Sequence, residues 1–425
     1  MASPDDTTAA KRRLRAGGWY VRYTEWPSGH QVVLHLRSDT AVHLVTRWWP
    51  TEAEAFEEAL SMAAQHELRG RPATATPTAE AGPPSARSHV EGRARDLDVL
   101  VLGNAHEDLL VQTARLPAAG EVLEGDLVAH EPGGKGVRQA IAAARLGGRV
   151  ALVARVGADP HGDEILSRLR VEGVRVEHVR RDPDARTRFE LVHVDRRGRR
   201  STASAPGSAM TRLSLEDIRA AQEVVQRSSV LVSSLEVSPA CLAEAFRIAR
   251  RHGAHVVLDA DPGRKLSARL LRLVDVAIVA SRHCRVVTGM SVTGRRAGLD
   301  AARLLLRLGA GAVVLRTAQR MLLLTRNDEI WVPNPHGQYT ESLEAGDACC
   351  SALAVALAEN LDLARAGRLA SAAAALAAPR LGEPSRIPTR AEVSRFASEA
   401  LRAEELTLDG ILPADAPEEP RHPAP

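Results

Sequence analysis

Two short runs concentrate residue types that chemistry needs. The first is Glu131-Pro132-Gly133-Gly134-Lys135-Gly136-Val137-Arg138-Gln139-Ala140, leading into an apolar helical stretch at 141–146. Glycines directly ahead of a helix let the backbone approach a ligand, and the helix start offers unpaired N–H groups that attract anions. The second is Glu344-Ala345-Gly346-Asp347-Ala348, also opening a helix. A carboxylate in that place can take a proton from a hydroxyl, or it can simply cap the helix, a common task for aspartate. Either run alone fits an ordinary tight turn. Three others accompany them in order: Gly103-Asn104-Ala105-His106-Glu107-Asp108, Arg155-Val156-Gly157-Ala158-Asp159-Pro160-His161-Gly162-Asp163, and Ser234-Leu235-Glu236.

The segments that must position these runs read as an α/β domain. Residues 97–103 form a near-continuous apolar strand ending in glycine, and further strands are expected at 149–156, 230–233, 255–259, 274–279 and 312–315. Helices are expected between several of them, at 215–226 with Ser214 as cap and at 238–252. Buried apolar strands alternating with helices indicate a mostly parallel sheet covered on both faces. Around 111–128 and 188–202 short alternating strands occur without helices, which implies a small β-sheet projecting from the body.

The order and spacing of these motifs, with the closing Pro388-Thr389-Arg390-Ala391-Glu392-Val393, resemble the ribokinase-like (PfkB-type) carbohydrate kinases over about 96–400. The resemblance implies a three-layer α/β/α domain with a small β-sheet lid over a sugar site. It implies ATP-dependent transfer of phosphate, with Mg, to a hydroxyl of a sugar or nucleoside. Asp347 stands where the family has its catalytic base, and Glu344, Ala345 and Gly346 stand in its anion hole. Asp108, Gly133, Gly134, Lys135, Arg138 and Glu236 match the sugar-binding positions, and Arg316 and Ala318 fall in the nucleotide loop. No metal ligand is assigned within the protein itself. Family members often pair through the lid, which extends to a homodimer here.

Several positions depart from the family pattern. Glu344 replaces a small residue, and a carboxylate about 4 Å from phosphate charge at an effective dielectric near 20 costs about 4 kcal/mol. Ala280 and His283 replace the family's Asn-x-x-Glu pair, the nucleotide loop lacks its glycines at 316–321, and Arg138 and His106 replace two asparagines. Arg138 turned into the pocket suits an anionic ligand; turned outward it is a surface residue. An alternative to the kinase therefore stands: a catalytically impaired sugar or sugar-phosphate sensor.

The remaining chain has its own composition. Residues 1–70 hold Trp19, Tyr20, Tyr23, Trp26, Trp48, Trp49 and Phe56, and read as a small βββα module. Its strands are expected around 19–23, 32–36 and 42–48, with a capping box at Thr51-Glu52-Ala53-Glu54 opening the helix. This module is similar, faintly, to the arm-type DNA-binding domains of tyrosine recombinases, so a DNA or protein partner competes with the plainer reading of the aromatics as a tiny core. The Pro- and Ala-rich segment 71–95 reads as a flexible linker, 96–405 as the kinase-like domain and 406–425 as a disordered tail. A net charge of +3 over 425 residues gives no general pull toward nucleic acid or membrane. Cys241, Cys284, Cys349 and Cys350 lack C-x-x-C spacing, and the start Met-Ala-Ser-Pro-Asp-Asp lacks a secretory pattern, which together fit a reducing cytoplasm.

Overall fold

The computed structural model describes residues 95–195, 200–205, 212–334, 343–377 and 387–409, and the backbone of three strands nearer the N-terminus. The chain divides into two compact units, 1–86 and 87–425. In the first, β1 (Trp19–Trp26), β2 (Gly29–Leu36) and β3 (His43–Val45) form an antiparallel sheet in that order. The helix expected after Thr51 lies outside the described residues, as does the expected linker up to its last residue, Arg95.

The second unit runs β4 (Leu97–Leu102), β5 (His106–Thr113), β6 (Asp126–Gly133), α1 (Lys135–Arg145), β7 (Val150–Gly157), α2 (Pro160–Val171), β8 (Val179–Asp182), β9 (Arg188–Asp195) and β10 (Arg200–Ala205). It continues with α3 (Leu215–Ala220), α4 (Gln222–Arg227), β11 (Ser228–Ser234), α5 (Pro239–Arg251), β12 (His255–Asp259), α6 (Ala268–Leu271), β13 (Val276–Ala280), α7 (Ser281–Thr288) and α8 (Arg295–Leu308). It closes with β14 (Ala312–Arg316), β15 (Arg320–Leu324), β16 (Glu329–Pro333), α9 (Leu343–Ala358), α10 (Leu363–Ala377) and α11 (Arg390–Asp409), so helix continues through the tail boundary expected at 406.

Nine strands make the main sheet in the order β16-β15-β14-β13-β12-β11-β4-β7-β8. The strands from β14 to β8 are parallel, and the β15–β16 hairpin adds an antiparallel edge. Alternation along each strand feeds two separate cores. In β7, Val150, Leu152, Ala154 and Val156 pack on one face with α1, α2, α9 and α10. Ala151 and Val153 pack on the other, with Phe246 and Leu242 of α5 and Leu305 of α8. That is the three-layer arrangement expected from the sequence.

Local signals behave as their chemistry predicts. Ser214 caps α3 in a capping box with Asp217, and Ser238 caps α5. The single helix expected at 215–226 is instead two short helices meeting at Ala221. The helix after the Gly-Gly pair begins at Lys135, earlier than its apolar stretch suggested, and the polar Lys135 and Gln139 in its opening residues are buried. The four-stranded second sheet, β10-β9-β5-β6, is the projecting one. β5 pairs antiparallel with β6 and parallel with β9.

Phe246 is fully buried in the second core. Phe246→Ala is expected to lower the unfolding free energy by about 3–5 kcal/mol, measured by urea denaturation, because the ring's burial is lost and a cavity remains.

Candidate functional site

The chain leaves β4 toward β7 on one side and leaves β11 toward β12 on the other, so strand order reverses between β4 and β11. Open parallel sheets form a crevice at the carboxyl ends of strands flanking such a reversal. Residues singled out from sequence gather there: Asp108 follows β4, Glu236 follows β11, and Lys135 opens α1. Asp259, at the end of β12, joins them.

Lys135 is the centre of the site. Its side chain is 2 % exposed, and Nζ lies 3.0 Å from Asp259 Oδ2, 3.0 Å from Asp347 Oδ1 and 3.4 Å from Asp261 Oδ2. Burial works against its charge, but Asp259, Asp347 and Asp261 outweigh it and hold the ammonium protonated well above its usual range. Three carboxylates around one cation are not equally served. Burial pushes the Asp259 carboxyl up, with Lys135 opposing and Asp261 and Asp347 adding to the rise. Burial acts on Asp261 too, yet Lys135, His283 and Arg282 bring it below the usual carboxylate range.

Arg138 turns into the pocket. Its Nε donates to Asp347 Oδ2 at 2.8 Å and its Nη1 to Asp108 Oδ2 at 3.3 Å. Gln139 Nε2 donates to Asp347 Oδ1 at 3.1 Å and to Asp259 Oδ2 at 3.2 Å. Ser351 Oγ, 2.9 Å from the Gln139 carbonyl oxygen and 2.8 Å from that of Asp347, ties α1 to α9. Asp347 is thus held at both oxygens. It lies one turn inside α9, not at its cap, since the helix begins at Leu343.

The glycines make room. Gly134 has φ 92°, a conformation that favours glycine. A Cβ on Gly133 would lie 2.2 Å from Asp108 Oδ2, so the Asp108 carboxylate occupies the space a side chain would need. A Cβ on Gly346 would meet Arg316 Nη1 at 2.9 Å, which places that buried guanidinium against the first turn of α9, where Glu344 and Ala345 also lie. The helix start and Arg316 together form a cradle suited to phosphate.

Glu236 is close enough for its carboxyl to be raised by burial, opposed by Lys135, Arg138 and His106. One of its oxygens, Oε2, is buried without a hydrogen-bond partner. Glu344 is half-buried, and its charge reaches Glu131 and Arg138. Ala318 lies apart, exposed in the β14–β15 turn, with its carbonyl accepting from Asn334. Arg282 donates to Asp261 at 3.1 Å and is thereby drawn toward the site.

Sequence reasoning missed Asp259, Asp261 and Gln139. The signal was present: Asp259 is a charged residue closing an otherwise apolar buried strand, at the end of the strand where open α/β sheets bind ligands. A cavity of about 320 Å³ lies elsewhere, at the opposite end of β4. It is lined by Asp96, Arg175, His178 and Arg227, and Asp96 there is paired with Arg175 and Arg227.

Comparison with known proteins identifies the family. Residues 96–390 match the pfkB family carbohydrate kinase model. A ribokinase of Haemophilus influenzae is 28% identical over 301 residues, covering 71% of this chain and 98% of that protein. A mouse ribokinase is 29% identical over 301 residues, covering 69% of this chain and 93% of the relative. The structure of Arabidopsis thaliana ribokinase complexed with ribose and ATP superimposes with a TM-score of 0.61 at 23% identity, covering 71% of this chain and 98% of that one, a likeness of fold.

Two outcomes are expected of the charges. Lys135→Met leaves Asp259, Asp261 and Asp347 facing one another, and should cost about 3–5 kcal/mol of stability at neutral pH in urea unfolding. Part of that loss should return on acidification, since the folded variant then binds protons that the unfolded chain does not. Glu107, on the opposite face of β5 from Asp108, has its carboxyl raised from 4.5 to about 7 by burial and by Glu164, Asp108, Asp159 and Glu131. Between those values the folded state holds a proton that the unfolded state releases, so stability falls as pH rises from about 4.5 to 7. Glu107→Gln should flatten that slope in denaturation curves measured across the same window.

Proposed function

Because the chain belongs to the pfkB family of carbohydrate kinases, we propose that it transfers the γ-phosphoryl group of ATP to a hydroxyl of a small sugar, with Asp347 as general base. The observation that carries the reading is the convergence of Asp347 with Lys135, Arg138 and Gln139 at the start of α9, next to Arg316. A sugar hydroxyl is a poor nucleophile, and a buried carboxylate in contact with it accepts its proton as the phosphoryl group arrives. Charge growing on the transferred group meets the first-turn N–H groups of α9 and the Arg316 guanidinium. The buried Glu236 Oε2, which has no donor among the described residues, is matched to a substrate hydroxyl.

Arg138 has a defined part in this reading. It holds Asp347 and Asp108 together when no sugar is present, and incoming hydroxyls take over its acceptors. ATP brings Mg with it. Asp261, the most exposed of the three carboxylates around Lys135 at 13 %, would hold that ion, which would supply counter-charge to the phosphates.

A second reading, a sugar-binding protein without transfer, draws on the same Arg138 contacts, since a base already held at both oxygens is less available. ADP release measured with ATP, Mg and a panel of pentoses, deoxypentoses and nucleosides separates the two. Turnover is expected on at least one pentose, and Asp347→Asn should lower kcat about 10²–10⁴-fold with the thermal unfolding transition retained. Wild-type protein that binds a sugar yet releases no ADP with any acceptor would replace the kinase with the binding protein.

A further inference from the structure

The start of β5 carries a group of side chains of which the proposed transfer uses only Asp108. Asp108 is the register partner of Glu131 on β6 and of Glu190 on β9, so three carboxylate residues stand side by side across three strands. Directly opposed residues share a sheet face, and like charges there destabilise a sheet unless something compensates.

His106 lies two residues before Asp108 on the same strand, hence on the same face. Its side chain is 3 % exposed, with Nε2 3.0 Å from Asp108 Oδ1 and 3.5 Å from Glu190 Oε2. Among the described residues, neither ring nitrogen has a partner in hydrogen-bond geometry, and nor does Asp108 Oδ1. A buried imidazole with both nitrogens in that state is costly, as is a buried carboxylate oxygen. The other oxygen of each acid is already engaged, Asp108 Oδ2 by Arg138 and Glu190 Oε1 by Arg188. Those arginines orient the carboxylates so that Oδ1 and Oε2 face His106.

We propose that His106, Asp108 and Glu190 form a binding site for a borderline transition-metal dication of the Zn²⁺ type, joining the projecting sheet's strands β5 and β9 at the rim of the sugar pocket. One donor atom from each residue lies within 4.8 Å of the other two. Ligands about 2.1 Å from a tetrahedral zinc are about 3.4 Å apart, and the two separations from His106 Nε2 bracket that value. A neutral imidazole with two carboxylates offers a dication an electrically balanced site. The nitrogen ligand selects Zn²⁺, Co²⁺ or Ni²⁺ over Mg²⁺ and Ca²⁺, which prefer oxygen. Arg138 and Arg188 act as the outer partners that hold ligating carboxylates in place. The site shares Asp108 with the pocket, but the metal takes no part in the proposed transfer, and the site exists or fails whether or not the protein is a kinase.

Untagged full-length protein, stripped with EDTA and dialysed, is titrated with Zn²⁺ by calorimetry and with Co²⁺ by visible absorption. One equivalent should bind, with d–d bands for cobalt, a higher Tm with zinc, and no displacement by millimolar Mg²⁺. Glu190→Ala and His106→Ala, each checked for folding by its metal-free thermal transition, should weaken binding at least about a hundredfold. Wild-type protein that shows neither heat, bands nor Tm shift overturns the proposal. So does binding that both folded variants retain. Should a variant not fold, the wild-type cobalt spectrum decides: bands without the intensity of a four- or five-coordinate nitrogen–oxygen site overturn it.

Discussion

A lysine ammonium taken almost wholly out of water needs anions around it, and the architecture of this site follows from supplying them to Lys135. Its partners come from three separate places: the end of β12, the segment just after it, and the second turn of α9. Desolvating one ammonium and three carboxylates is expensive, and only close contacts with further hydrogen bonds offset it. Gln139 supplies two such bonds and Arg138 a second cation, both from the helix that Lys135 begins. The first turn of α1 is therefore an electrostatic hub, which explains why so polar a run is buried.

That hub works because the sheet delivers its parts to one edge. The reversal of strand order between β4 and β11 opens the crevice, and residues just past several parallel strands look into it. The second sheet grows directly from the same place, since β5 follows β4 after three residues and β6 runs straight into the Gly133-Gly134 pair. Asp108 belongs to both systems at once, bound to Arg138 on the pocket side and aligned with Glu131 and Glu190 along the sheet. A change in the projecting sheet is thus mechanically linked to the acids of the pocket.

The departures from the family pattern acquire physical meaning in this setting. Arg138 bridges Asp108 and Asp347, and its size and charge are accommodated by two acids already present. Arg282, which lies between the Ala280 and His283 positions where the resemblance expects an Asn-x-x-Glu pair, pairs with Asp261. Glu344, in the first turn of α9, adds negative charge that Arg138 feels favourably and Glu131 unfavourably. These three residues are charged, and each meets opposite charge within the same cluster.

Much of this was legible along the chain. The expected strand at 255–259 is β12 without a shift, and the capping role of Ser214 holds as read, because local hydrogen bonding and hydrophobic alternation act over a few residues. The glycine-rich run and the Glu344–Asp347 run carried the family, since their residue types are dictated by close backbone approach and by helix starts. Other features only tertiary structure decided. Whether Arg138 points inward depends on Asp347, 209 residues away, and the importance of Asp259 depends on a lysine 124 positions earlier. The Glu131–Asp108–Glu190 row arises from strand register, which pairs residues far apart in sequence. Coulomb interactions and desolvation depend on distance in space, so a linear reading identifies which residues can do chemistry, while the fold determines which of them meet.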